Sequence, residues 1–356
     1  MTKRYTLKKK IIVASSVVAA VLLSFFLIIP YTVSAVVYSV IFTRRFSTTE
    51  YLRYDLTDFE GLQADKHEFQ SENNQTLVGY RYSLESSRPK GVVVVVHGLG
   101  GGGQNGYMDV TYYFVKNGYD VFAYDATGND ESTGKGINGL PHGIIDLHHA
   151  LEYIKEIDEF KDLPVMLWGH SWGGYCVSAI LNWHSEVKAI ASISGFNRSS
   201  DLVESYGAHY VGGLAKISMP YVNSLEKIKF GKYASATALD GFENSEAGIF
   251  IAHSSDDDVV PIKFGLDKYY KKYSDNPRFK FVRYENKGHT DILYSNERIS
   301  YLEDFYDDAI EFLGANATDK ELTNYVKDNL NREIYCNGLE NELFTQIVDF
   351  YDSYLN

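Results

Sequence analysis

Val165-Met-Leu-Trp-Gly-His-Ser-Trp-Gly-Gly-Tyr175 reads as an apolar strand that runs into a tight, glycine-flanked turn and then into a helix. Gly169, Ser171 and Gly173 spell G-x-S-x-G. A serine held on a strained strand-to-helix turn needs glycine two residues to either side, because a side chain there would collide with the backbone. Such a turn lifts the hydroxyl off the sheet edge, with the first helical N–H groups beneath it. The pentapeptide by itself also fits an ordinary strand–turn–helix connection, so its meaning depends on the rest of the chain.

Around this turn strands and helices alternate. Upstream, Gly91-Val-Val-Val-Val-Val96 is an unbroken β-branched run of the kind buried on both faces of a sheet. It leads into His97-Gly-Leu-Gly-Gly-Gly-Gly-Gln104, a helical stretch to Lys116 and the strand Tyr119–Asp125. Ile144, Ile145, Leu147, Leu151 and Ile154 then recur at helical spacing. Downstream come a helix to Trp183, strands at Val187–Ile193, Gly248–His253 and Phe279–Tyr284, and a closing helix at Arg298–Leu313. Phe69 to Leu84 alternates around Asn73-Asn74 and predicts an opening hairpin. The order predicts a doubly wound, mainly parallel α/β sheet. More than 50 residues separate Ile193 from Gly248, whereas a crossover needs only about a dozen, so an insertion is expected there. Thr318-Asp-Lys-Glu321 has the capping-box pattern and opens a helix carrying Leu322, Tyr325, Val326 and Leu330.

The amino terminus is of another kind. Lys3, Arg4, Lys8, Lys9 and Lys10 are followed by no charge at all from Ile11 to Thr43. About 20 apolar helical residues cross a hydrocarbon core, whereas a signal-peptide core is only about 7–15 residues long. One transmembrane helix is expected, in preference to a cleaved signal ending at Ser34 and Ala35. The basic flank predicts N-in, C-out insertion in the cell membrane with the remaining chain extracellular. The expected organisation is a basic cytoplasmic segment 1–10, an anchor 11–42, a juxtamembrane linker 43–66, an α/β domain 67–314 with a cap insertion at about 195–247, and a helical extension 315–356. After the first ten residues 29 Lys and Arg face 47 Asp and Glu. Phosphate binding needs a basic face, so nucleic acid is excluded as a partner. The two cysteines, Cys176 and Cys336, are too few for a disulfide scaffold.

A serine hydroxyl is a poor nucleophile until a base takes its proton, and a carboxylate fixes the base's tautomer. Two loops after strands offer these groups. His253-Ser-Ser-Asp-Asp-Asp-Val-Val-Pro261 holds Asp256, Asp257 and Asp258, among which composition does not choose. Glu285-Asn-Lys-Gly-His-Thr-Asp291 presents His289 after Gly288. Two preorganised N–H donors are needed for an oxyanion; Trp172, next after the serine, and Leu99 in the glycine-rich loop are the expected pair. A rival reading takes Gly98, Gly100 and Gly103 with Asp125 as a dinucleotide-binding fingerprint. It leaves the serine turn and both later loops without a purpose.

Over Phe69 to Gly314 these motifs resemble the α/β-hydrolases, most closely the serine-aminopeptidase-like and monoacylglycerol-lipase-like branch that includes many bacterial esterases. The resemblance is carried by His97-Gly98, by Asp125 with Gly128 and Ser132-Thr-Gly134, by Gly169-His-Ser-Trp-Gly173, and by Gly288-His289. The family pattern D-x-x-V-P falls on Asp257 with Val260-Pro261. The sequence departs from that branch at Thr127, where arginine is frequent, and at Asp130, where glycine is frequent. The resemblance implies a Ser171–His289–Asp257 triad, an oxyanion hole of Leu99 and Trp172, a structural role for His97, and no cofactor or metal. The function expected is hydrolysis of a small-molecule or lipid carboxylic ester through an acyl-serine. Peptidase or thioesterase chemistry on the same fold, or a non-catalytic surface binding protein, are the alternatives.

Overall fold

The structure is a computed structural model that describes residues 2–85, 88–314 and 316–355. Eight strands form one sheet: β1 (Leu62–Gln70), β2 (Thr76–Leu84), β3 (Val92–Val96), β4 (Asp120–Asp125), β5 (Val165–His170), β6 (Ala189–Ile193), β7 (Gly248–Ser254) and β8 (Phe279–Tyr284). Their spatial order is β1-β2-β4-β3-β5-β6-β7-β8. β1 and β2 pair antiparallel, β2 joins β4 antiparallel, and every pair from β4 to β8 is parallel. Asn73 and Asn74 turn the opening hairpin with φ of 56° and 59°, left-handed values that asparagine tolerates.

The two-residue period of a strand divides the valine run between two cores. Val92, Val94 and Val96 face helices His142–Ile154 and Trp172–Ala179, with part of the 195–247 insertion. Val93 and Val95 face helices Met108–Lys116 and Asn296–Leu313 and the carboxy-terminal segment. That segment folds as helices Asp319–Asn329, Arg332–Asn337 and Asn341–Asp352. The capping box at Thr318 and Glu321 is formed. Phe344, Ile347 and Tyr351 are buried against the sheet, and the Tyr351 hydroxyl donates to the Leu167 carbonyl of β5 at 2.5 Å.

Residues 43–66, expected as a linker, are bound to the domain. Phe46 exchanges backbone hydrogen bonds with Gly128 and Asp130, and the Arg45 guanidinium donates to the carbonyls of Asp130, Ser132 and Gly134. Leu62 already belongs to β1. Tyr54 lies inside a buried polar cluster, where Arg298 donates to Asp109 at 2.8 Å and to the Tyr54 hydroxyl at 3.0 Å. Removing one partner of a buried ion pair strands the other's charge, at a cost of about 3–5 kcal/mol. Arg298→Ala is therefore expected to lower the unfolding free energy of the detergent-solubilised protein, read from urea titration, by about that amount; an unchanged urea midpoint refutes the assignment.

At the amino terminus, helical backbone runs from Thr2 to Phe42, with a π-helical turn at Ser24–Ile28. Its segment Lys8–Phe42 is long and apolar enough to cross a membrane. The far end turns one side to the protein: Ser34, Tyr38 and Phe42 are buried against the insertion helix Leu214–Phe230 and the Ile137–Leu140 segment.

Candidate active site

β5 ends at His170, and Ser171 follows with φ 55° and ψ −115°, a left-handed, non-helical conformation, before the helix Trp172–Ala179 begins. The glycines make this possible. A Cβ on Gly169 would stand 2.4 Å from the Gly173 carbonyl carbon, and one on Gly173 would stand 2.0 Å from the Val96 carbonyl oxygen. Strain of this kind persists only where surrounding structure over-determines it.

Three side chains from three loops meet at the turn. His289 Nε2 lies 2.8 Å from Ser171 Oγ, and its Nδ1 lies 2.7 Å from Asp257 Oδ2. An ionised carboxylate only accepts, so Nδ1 carries the proton and Nε2 is free to accept from the serine hydroxyl. The positive φ of 53° at Gly288 makes the bend that presents the ring. Asp257 is the member of the acidic triplet that reaches His289. Asp256 instead accepts from Ser254 Oγ and from the backbone of Lys287 and Gly288, which shapes the histidine's loop, and Asp258 is exposed. Burial works against the Asp257 charge, but hydrogen bonds from His253 and His289 outweigh it, and the carboxyl is held well below its usual range. The amides of Val259 and Val260 donate to its other oxygen at 3.0 and 2.7 Å.

Sequence reasoning missed the groups behind these three. His253 Nε2 stands 3.0 Å from Asp257 Oδ2 and 2.8 Å from the Val260 carbonyl, both acceptors, so it is a donor. His170, the variable residue before the serine, connects the serine, histidine and glycine-rich loops. Its Nε2 lies 3.0 Å from the His289 carbonyl and therefore donates, leaving Nδ1 to accept from the Tyr107 hydroxyl at 2.9 Å. That hydroxyl in turn accepts from the Gly98 amide at 3.1 Å. Burial, reinforced by the nearby His289, pushes the His170 pKa down to about 3, so it stays neutral. Tyr107→Phe removes the middle of this line. A lost buried hydrogen bond costs about 1–3 kcal/mol, so kcat on a soluble ester is expected to fall about ten- to a hundredfold with little change in KM.

The glycine-rich loop is held from within. The His97 Nε2 accepts from the Ala126 amide at 2.9 Å, so its Nδ1 donates to the Gly98 carbonyl at 2.7 Å. The Gly98 amide is engaged by Tyr107, which makes Leu99 the next amide along the loop. Trp172 opens its helix, where the first N–H groups have no intrahelical acceptor. The dinucleotide reading fails here. Of its three glycines, a Cβ on Gly98 would meet the Tyr107 hydroxyl at 2.8 Å and one on Gly103 the Asp125 carboxylate at 1.9 Å, so these two admit the chain's own side chains, while Gly100 faces open space. Asp125 is buried and accepts from the amides of Gln104 and Glu131, and burial raises its carboxyl to about 7. The two departures from the family pattern have local work. Thr127 donates twice to the buried Asp146. Asp130 accepts from Thr48 and from the Gly103 amide, tying the juxtamembrane stretch to the loop.

Among the described residues, one group of possible metal ligands lies outside this constellation: His148, Glu152 and His184, whose ligand atoms fall within 4.8 Å of one another. Their side chains are already engaged with one another and with Glu186 and Lys155. His148 Nδ1 is 2.7 Å from His184 Nε2, His184 Nδ1 is 2.8 Å from Glu186, and the Lys155 ammonium bridges Glu152 and Glu186. Cys176 and Cys336 are buried free thiols.

The strand order, the serine turn at the end of β5 and the loops after β7 and β8 define an α/β-hydrolase fold. An esterase of Pyrococcus furiosus shares it, with a TM-score of 0.53 at 16% identity over 77% of this chain and 94% of that one. An acylaminoacyl peptidase of Pyrococcus horikoshii does likewise, with a TM-score of 0.54 at 15% identity over 84% of this chain and 42% of that one. Within the fold, residues 87–226 match the family described as serine aminopeptidase S33. The monoglyceride lipase of Saccharomyces cerevisiae is 29% identical over 121 residues, 32% of this chain and 36% of that one. The chain matches little more than a third of the length of its curated relatives.

Proposed function

We propose that the protein is a membrane-anchored serine hydrolase that cleaves carboxylic esters by two-step acyl transfer. The observation that carries this reading is the unbroken hydrogen-bonded line from Ser171 through His289 to Asp257. Ser171 Oγ attacks the ester carbonyl while His289 Nε2 takes its proton, and the tetrahedral oxyanion is stabilised by the amides of Leu99 and Trp172. His289 then gives the proton to the leaving alkoxide as the C–O bond breaks, leaving the acyl-serine. Water, deprotonated by the same ring, releases the acid and restores the serine. Asp257 keeps Nδ1 protonated and stabilises the imidazolium that forms.

An ester substrate is supported by the name of the curated relative, a monoglyceride lipase. The apolar helix Lys8–Phe42 is a retained anchor with its basic end in the cytoplasm. Retention is supported by Tyr38, whose hydroxyl donates to the buried Glu226 of the insertion at 2.8 Å. The insertion acts as a cap: its helix Ala238–Glu243 packs on the helix that follows Ser171, and Phe196 stacks on Tyr175 of that same helix.

A fluorophosphonate probe tests the reading. Labelling of the wild-type protein that vanishes in Ser171→Ala, followed by turnover of p-nitrophenyl esters, is the expected result. A folded wild-type protein that neither labels nor turns over esters overturns it in favour of a binding role. Labelling with turnover of peptides alone moves the substrate from ester to amide.

A further inference from the structure

The insertion contains a helical hairpin, Ser199–Val211 and Leu214–Phe230, turned at Gly212-Gly213. Between Glu204 and Glu226 it carries one formal charge, Lys216, in a body otherwise rich in acids. Its second helix has apolar residues on opposite sides. Met219 and Val222 are buried in the domain, while Ile217 is 66% exposed. We propose that this hairpin is embedded in the lipid bilayer beside the anchor, so that the cap takes acyl esters directly from the membrane. The proposal rests on the reading of the amino-terminal helix as a membrane anchor.

The occupant of the apolar face follows from where the anchor meets the hairpin. The Tyr221 hydroxyl donates to the backbone carbonyl of Phe26 at 2.5 Å. That carbonyl lacks its ordinary helical donor, because Pro30, four residues on, has no N–H. In hydrocarbon no water reaches the backbone to take the place of that i+4 donor, and the Tyr221 hydroxyl of the cap donates there instead. Phe26 lies within the apolar span. Counted from Ile11 at about 1.5 Å per residue, it is about 22 Å into a hydrocarbon layer about 30 Å thick. Tyr221 therefore sits below the outer boundary of the bilayer.

The second contact sets the direction. Tyr38, one turn before the anchor helix ends, donates to Glu226, which also accepts from Ser199 Oγ at 2.8 Å. The pairs Tyr221 with Phe26 and Glu226 with Tyr38 ascend together along both chains. The second hairpin helix thus runs the same way as the anchor, and its beginning at Leu214 lies on the membrane side. Glu226 and Ser199, the polar foot of the hairpin, stay with the domain; the nearly uncharged tip goes into lipid, and Lys216 has the length to snorkel to the headgroups. The helix Lys8–Phe42, 35 residues long, is longer than one span requires, and its surplus is the part that docks on the cap.

Depth-dependent fluorescence quenching tests the idea on the full chain in phosphatidylcholine vesicles. In a Cys176→Ala, Cys336→Ala background, single cysteines carrying an environment-sensitive NBD label are placed by Ile217→Cys in the hairpin, Val21→Cys in the anchor and Ile310→Cys on the exposed side of the closing helix. With lipids spin-labelled on their acyl chains, most of the emission is expected to be lost at positions 217 and 21 and retained at 310. Quenching at 21 with water-like, unquenched emission at 217 overturns the hairpin's insertion while the anchor stands. Blue-shifted emission at 217 without lipid quenching assigns that face to a protein contact and also overturns it. Absence of quenching at both 21 and 217 removes the anchor reading and the proposal with it.

Discussion

Ser171→Ala is expected to lower kcat/KM for a short-chain ester by about a hundred-thousand- to a millionfold, with the fold intact. The alanine keeps the backbone of the turn, so the loss belongs to the missing nucleophile. What survives is the contribution of the two amides and of substrate positioning, which do not need the hydroxyl. In the proposed mechanism the serine and the histidine act as one unit, because the proton leaves Oγ through Nε2, 2.8 Å away. A Ser171→Ala, His289→Ala double variant is therefore expected to be about as slow as the first single variant. Additive losses in the double variant, or turnover by Ser171→Ala within tenfold of wild type, would show that the ester is cleaved elsewhere.

The parts of the site that were legible in the sequence are those enforced by sterics and by local pattern. Gly169 and Gly173 announce the turn because no larger residue fits where a Cβ would stand 2.0–2.4 Å from backbone atoms. The valine run announces a strand buried on both faces, and its alternate members do line two cores. What was not legible depends on contacts remote in sequence. Spacing does not choose among Asp256, Asp257 and Asp258, since all three fit the same loop; the fold chooses by aiming one at His289. His170 looked like a variable residue in the motif, and Tyr107 is one of 29 tyrosines, so nothing local marked their bond. Tyr38 and Glu226 lie 188 residues apart, and neither belongs to a motif. The linker expected at 43–66 reads as polar and aperiodic, yet Arg45 and Phe46 bind backbone groups of the loop after β4 and Thr48 binds the Asp130 carboxylate there, contacts that composition does not reveal.

The second large effect is expected from Asp257→Asn, about ten-thousandfold in kcat, close to the cost of reversing a catalytic histidine's tautomer. The environment of the residue dictates how the amide sits. The Val259 and Val260 amides donate to Oδ1, so the asparagine oxygen must occupy that place and its NH₂ must take the place of Oδ2. That NH₂ then faces His289 Nδ1, which is obliged to accept, and the ring proton moves to Nε2, the atom that has to receive the serine proton. The same NH₂ opposes the donor His253 Nε2, so stability suffers as well. The depressed carboxyl of wild-type Asp257 gives that loss a defined pH dependence. The stabilisation due to its charge is fully present above the ordinary carboxylate pKa of about 3.9 and is lost as pH falls toward the lower folded-state value. The stability gap between wild type and Asp257→Asn should therefore be widest from mildly acidic to neutral pH and narrow below about pH 4. Urea midpoints across that range measure it. A gap that stays constant into strong acid would place the proton on Asp257 already at neutral pH, and the tautomer argument would fall with it.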